Sequence, residues 1–295
     1  MTVSPTGGAT PRRTVAETAA LLLLLFTATV AVFAPFLASE TGPALFEIGP
    51  TTQDLSLRWS PPGTPGRPFG ADGLGRDVLA RVVYGLRASL LCGVGGALLA
   101  LVFGVLWGVL AAGGRSGPAR AAGGFLTFLA DAASAAPPLL TAAAVQATFR
   151  PGPLGFVLLL GILRAPFLAR LVRREAIRVA DAPFVLAAYA SGIPAWRVRL
   201  RSVLPHAVTP ALVAAAFAVP GNIVAEAGLG FLGLGLPEPA PTIGGLLRDG
   251  RLHVPYATHL VFIPGVVVAA LTLALQTAAE GLRRRNAGPV AEGAA

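Results

Sequence analysis

Ala88-Ser-Leu-Leu-Cys-Gly-Val-Gly-Gly-Ala-Leu-Leu-Ala-Leu-Val-Phe-Gly-Val-Leu-Trp-Gly-Val-Leu-Ala-Ala-Gly-Gly114 runs for 27 residues without a charge. About 20 mostly apolar residues suffice for a helix to cross the hydrocarbon of a bilayer. No water is available there, so every backbone amide must be satisfied within the segment, which a helix does. Five further runs have the same character: 18–38, 121–149, 152–172, 207–234 and 255–279. Only the run 152–172 contains arginines, Arg164 interrupting it and Arg170 near its end. None shows the alternating pattern of a membrane β-strand. The expected fold is therefore all-α, a polytopic membrane bundle of about six transmembrane helices.

Composition supports the same class. Of the 295 residues, 54% are hydrophobic and 13% charged, against about 25% charged in a soluble domain, and the mean hydropathy is +0.71. So few charges cannot cover the apolar surface of a soluble globule. Ordinary soluble enzymes, disordered regulators and disulfide-stapled secreted domains are excluded. The single cysteine, Cys92, can form neither an intrachain disulfide nor a thiolate zinc site; a small buried apolar residue is its simplest reading.

The net charge is +9, and all 23 basic residues are arginines. Without lysine there is no P-loop lysine, no Schiff base and no Ser-Lys dyad. If ATP is used, another chain must bind it. The arginines sit beside the apolar runs, which suits membrane topology better than nucleic-acid binding. With the N-terminus inside, 14 arginines fall on the inner side and eight on the outer, five of these in the long loop 39–87. Arginine excess marks the cytoplasmic side, so the expected orientation is N-in, C-in. This gives a cytoplasmic N-terminal tail 1–17, a first helix 18–38, an extracytoplasmic loop 39–87, five helices within 88–280 and a cytoplasmic tail 281–295. Arg12 and Arg13 precede the first span with no small-residue cleavage site, so it is read as a retained helix.

The most informative polar segment is Phe184-Val-Leu-Ala-Ala-Tyr-Ala-Ser-Gly-Ile-Pro-Ala-Trp-Arg-Val-Arg-Leu-Arg-Ser-Val-Leu-Pro205, within the cytoplasmic loop 173–206. Residues 184–191 suit a short helix, which Gly192 can end in a left-handed conformation and Pro194 prevents from continuing. Arg197 and Arg201 are four apart and share a helical face. A short helix of small residues fits a partner's groove; a plain interfacial loop is the alternative. The segment resembles the "EAA" loop of bacterial ABC-importer permeases, whose pattern runs Glu-Ala-Ala, three residues, Gly, then a gap to Leu-Pro. The match falls on Ala187, Ala188, Gly192, Leu204 and Pro205, with Trp196, Arg197 and Arg201 at familiar offsets. Leu186 stands where the family usually has glutamate.

Two more segments resemble the dipeptide, oligopeptide and nickel group of these permeases. Phe69 to Leu90 is one, with Gly-Leu-Gly-Arg-Asp-Val-Leu-Ala-Arg at 73–81. On physical grounds it reads as an amphipathic interfacial helix: Val78, Leu79, Val82 and Val83 apolar, Asp77, Arg81 and Arg87 wet, Asp72 or Asp77 as cap. The other is Ala225 to Pro237, continued by Pro239, Pro241, Gly244, Gly245, Leu247, Gly250 and Arg251. Gly228-Leu-Gly-Phe-Leu-Gly233 satisfies the dinucleotide pattern G-x-G-x-x-G, but it ends a membrane span and lacks the strand-turn-helix setting such a site needs.

The resemblance covers about 15–285. It implies a permease subunit of an ATP-driven importer in the bacterial plasma membrane, forming half of a path for peptides or a related small solute such as nickel. The implied partners are a second homologous permease, two ATPase subunits that bind ATP and magnesium and dock on 184–205, and an extracytoplasmic solute-binding protein. The chain itself would be no enzyme and bind no cofactor or metal. Two acids fall within spans, Asp131 and Glu226. Such charges usually face a cavity or a partner. They are candidates to line the path, or to hold helices together, with Arg164 as a possible ion-pair partner. The alternative function is an ion-coupled secondary transporter that uses these two acids; the lack of an internal repeat counts against it.

Overall fold

A computed structural model describes residues 15–37, 49–113 and 117–286. Residues 1–14 with Arg12 and Arg13, 38–48 at the start of the first outer loop, 114–116 with Arg115 and 287–295 lie outside the described residues. In chain order the helices are α1 (Val15–Val32), α2 (Ala34–Leu37), α3 (Val78–Ala111), α4 (Gly117–Ala135), α5 (Pro138–Phe149), α6 (Pro153–Ala180), α7 (Pro183–Ala190), α8 (Ala195–Val198), α9 (Leu204–Phe231), α10 (Ile243–Gly250) and α11 (His259–Asn286). The described residues contain isolated bridges but no strand. Among them α1, α3, α6, α11 and the continuous run Ala195–Phe231 are long and apolar enough to cross a membrane. The α4–α5 pair makes a sixth if it is one broken span.

The run 121–149 was expected as one helix; it is two, bent by 79°. Pro137 and Pro138 explain this. Neither has an N–H to donate, and the residue before a proline is pushed out of the helical region; Pro137 is extended, at ψ 119°. The opposite correction applies to 69–90. The amphipathic helix expected there is not a separate interfacial element but the first turns of the 34-residue α3. It does not lie on a wet surface, because Arg81 and Asp77 are only 2% exposed. Of the three residues expected to be wet, Arg87 alone is exposed.

Helix α3 is the central strut and packs against α6 and α9. Close approach is built in by residues without side chains: a Cβ at Gly93 would meet Ile223 at 2.7 Å, at Gly104 Leu168 at 2.5 Å, and at Gly108 Val172 at 2.7 Å. Small residues let helices associate in lipid, where apolar burial gives no drive between them. The opposite face of α3 exposes Leu91, Leu98, Val102, Leu106 and Leu110, which is the expected lipid side. Three apolar clusters stack along the bundle. At one end Val78, Val82, Leu86, Ile223, Ile243, Leu246 and Leu260 join α3, α9, α10 and α11. Cys92, Ala142, Phe156, Leu160 and Leu229 join α3, α5, α6 and α9. At the other end Val172, Ala176, Val179, Val185, Val198, Val203 and Ala207 hold α7 and α8 on α6 and α9.

Candidate functional site

The segment 183–205 forms a short helical hairpin at the end of the bundle where α6 stops. Pro183 starts α7, because its missing N–H costs nothing in a first turn. Gly192 ends it at φ +77°: its N–H donates to Tyr189 O at 3.0 Å, and that of Ile193 to Ala188 O at 3.3 Å. These are the two bonds of a Schellman motif, which needs the left-handed residue that glycine supplies at least cost. Pro194 then caps α8. Between α8 and α9 the chain makes a π-helical turn, Arg199–Val203, closed by Leu204 N–H donating to Arg199 O. Pro205 follows and cannot donate, so the ordinary ladder cannot close across Arg201. Such turns often mark functional positions; only the Leu-Pro pair hinted at this one.

All eight residues singled out in this segment are described. Ala187, Gly192, Trp196, Arg197, Arg201 and Pro205 are exposed, Ala188 and Leu204 half-buried. Apolar side chains accompany them at the surface: Phe184, Leu186, Ile193, Trp196 at 61% exposure and Leu200. The Arg197 guanidinium lies 5.3 Å from the centre of the Trp196 ring. Underneath, the hairpin is anchored. Val185 and Val198 are buried in the α6–α9 cluster, and Arg199 Nη2 donates to Gly113 O just past the end of α3. Arg173 of α6 donates to Ala111 O at 3.2 Å. Cations are favourable at a helix C-terminus, where carbonyls are left over. The hairpin therefore presents an apolar and cationic outer face, with its inner face tied to three of the long helices.

The two intramembrane acids do not form one site. Glu226 is completely buried in α9 and accepts from Ser89 Oγ of α3 at 2.7 Å, while its other oxygen has no partner. Asp131 of α4 is exposed and pairs with Arg170 of α6 at 3.6 Å. Neither pairs with Arg164, the partner considered from sequence. Each acid links a different pair of helices, α3 to α9 for Glu226 and α4 to α6 for Asp131.

A cluster that sequence reasoning missed lies at the opposite end. Asp72 accepts from the N–H groups of Leu74 and Arg76 and from Arg76 Nε at 2.7 Å. Arg81 Nη1 stands 3.6 Å from the same carboxylate and Nη2 3.8 Å from Asp249 of α10. Arg76 also reaches Asp249 at 3.5 Å, and Arg67 faces Asp77 at 3.6 Å. Asp77 caps α3 through Ala80 N–H. Trp59 stacks on His253 at 4.1 Å, closing the loop onto the segment before α11. Asp54, which caps a 3-10 turn at Leu55–Leu57, is held below the usual carboxylate range by hydrogen bonds from the Ser56 hydroxyl and amide. The only sequence signal for the cluster was the dense charge pattern of 67–81.

Residues 104–287 match the family described as binding-protein-dependent transport system inner membrane component. The chain is 32% identical over 268 residues to the di/tripeptide transport system permease protein DppC of Pseudomonas aeruginosa, covering 89% of this chain and 84% of that one. It is 33% identical over 258 residues to the dipeptide transport system permease protein DppC of Alkalihalophilus pseudofirmus, covering 86% and 79%. It is 29% identical over 273 residues to the glutathione transport system permease protein GsiD of Pectobacterium atrosepticum, covering 92% and 86%. With its apolar helices, its helical hairpin and a match over most of its length, the chain belongs to the family of inner membrane components of binding-protein-dependent transport systems, as a multi-pass permease of the ABC importer class.

Proposed function

We propose that this permease forms half of the path of an ATP-driven importer for short peptides, and that ATPase subunits dock on the hairpin 184–205. The observation that carries the docking role is the hairpin's two-sidedness. Its outer face exposes Phe184, Leu186 and Trp196 to solvent, and its inner face is fastened to α3, α6 and α9. A push on such a face reaches the long helices without first deforming the hairpin. ATPase closure would then favour one arrangement of the bundle over another, the differential contact that any ligand-driven switch requires. The peptide cargo is inferred from what similar proteins are named for. A second permease, two ATPases and a solute-binding protein complete the assembly, with the hairpin on the cytoplasmic side and both chain ends inside.

The test is affinity purification of the tagged chain from its native membranes in mild detergent. The expected result is co-recovery of a second permease and nucleotide-binding subunits. Recovery of the chain alone, still active after reconstitution without ATP, would overturn the reading in favour of ion-coupled transport. Orientation is checked separately: reporters fused after Arg120 and Arg178 should read cytoplasmic, and those within 39–87 or after Arg150 external.

A further inference from the structure

Arg164 lies eleven residues beyond Pro153, the first residue of α6, about 17 Å along the helix at 1.5 Å per residue. That places it near the middle of the span, where a charge is costly and as a rule faces a cavity or a partner. It has no hydrogen bond or ion pair with any described residue. Neither intramembrane acid considered from the sequence reaches it: Asp131 pairs with Arg170, and Glu226 accepts from Ser89. Yet its position is built: the guanidinium lies over Gly221 of α9, where a Cβ would come within 2.5 Å of Nη2. It opens into a crevice of about 210 Å³ between α6 and α9, bounded by Phe167 and Phe217. A larger crevice of about 620 Å³ shares Phe217 and runs past Gly221 to Gln276, Thr277, Glu280 and Arg284 of α11 and Glu17 of α1. One face of the bundle thus carries a seated, unpaired guanidinium beside open, partly polar space.

The geometry points to Arg164 as a carboxylate-binding side chain on the translocation path, its ligand the C-terminal carboxylate of a peptide in transit. The inference rests on the peptide-permease reading above. A guanidinium offers a planar fork of donors that matches a carboxylate and stays charged when partly desolvated. The terminal carboxylate is the one anionic group that every unmodified peptide brings, whatever its side chains. The crevices leave room for it beside Arg164, and Glu280, an acid on the larger crevice, is held by Arg283 and Arg284.

The test uses the complete importer, reconstituted with its partner subunits in proteoliposomes, with dialanine as probe. Arg164→Gln is expected to lower dialanine uptake about tenfold or more, the scale of a lost hydrogen-bonded charge. Recovery of the complex and ATPase stimulation by loaded binding protein should stay within about twofold. In Arg164→Cys, a water-soluble cationic methanethiosulfonate should label the thiol and restore uptake, whereas a neutral one of similar size should label without restoring. Cys92 is buried at 2% exposure and contributes little background. Uptake by Arg164→Gln within about twofold of wild type would overturn the inference. Failure of that variant to assemble with the second permease would overturn it too, because the carboxylate would then belong to the partner. So would a thiol that the aqueous reagent cannot reach. If wild type takes up no dialanine, the peptide reading fails; the labelling arm still reports whether position 164 faces water.

Discussion

The two ends of this bundle use the same backbone device for opposite purposes. Gly75 and Gly192 both sit in the left-handed region, at φ +70° and +77°. A Cβ on Gly75 would fall 1.7 Å from the carbonyl oxygen of Asp54, whereas one on Gly192 would meet nothing within 4 Å. Around Gly75 the chain is cross-braced by buried ions, with Asp72 1% and Arg81 2% exposed. Around Gly192 it projects into solvent and is braced only from beneath. The first arrangement fixes a loop against the helix starts, while the second leaves a surface free to be gripped. In an energy-coupled permease the gripped surface is where a partner's work enters.

The comparison can be broken most forcefully at Asp72. Asp72→Ala leaves Arg76 and Arg81 buried with Asp249 as their nearest remaining acid, and unpairing a buried ion costs about 3–5 kcal/mol. The expected outcome is a marked fall in folded yield and in the unfolding temperature in detergent. Wild-type unfolding would show that the cluster does not hold this end together. Next in size is Gly75→Ala, which adds a backbone clash to left-handed strain of about 1–2 kcal/mol. It should lower the unfolding temperature clearly. Gly192→Ala meets the strain without the clash, and only in a locally exposed hairpin, so its effect on unfolding should be the smallest. Gly192→Pro sharpens the contrast: proline cannot adopt the positive φ and removes the N–H bonded to Tyr189. It should abolish transport while the spans still insert, as read by peptide uptake alongside membrane yield.

Much of this was legible in the sequence because lipid imposes simple rules. Apolar runs gave the long helices, and Gly192 with Pro194 gave the end of α7. What the sequence left hidden depended on partners far away in the chain. Asp77 and Arg81 looked wet because their own helix is polar at that point, but Arg67 of the preceding loop faces Asp77 and Asp249 of the distant α10 faces Arg81. The Ser89 hydroxyl that Glu226 accepts from lies 137 residues away in the chain. The break at Pro137–Pro138 was visible as composition, but its 79° angle was not. The π turn at Arg199–Val203 depends on how α8 joins α9, which local propensity alone does not specify.

The claim that the exposed hairpin is the gripped surface is tested most directly by site-specific photo-crosslinking in native membranes. A photoreactive residue replaces Trp196, 61% exposed on the hairpin, and in a second strain Leu55, 67% exposed at the opposite end. The account predicts that the probe at 196 crosslinks to a nucleotide-binding subunit and the probe at 55 does not. A probe at 196 that never reaches such a subunit in an importer still competent for transport would contradict it.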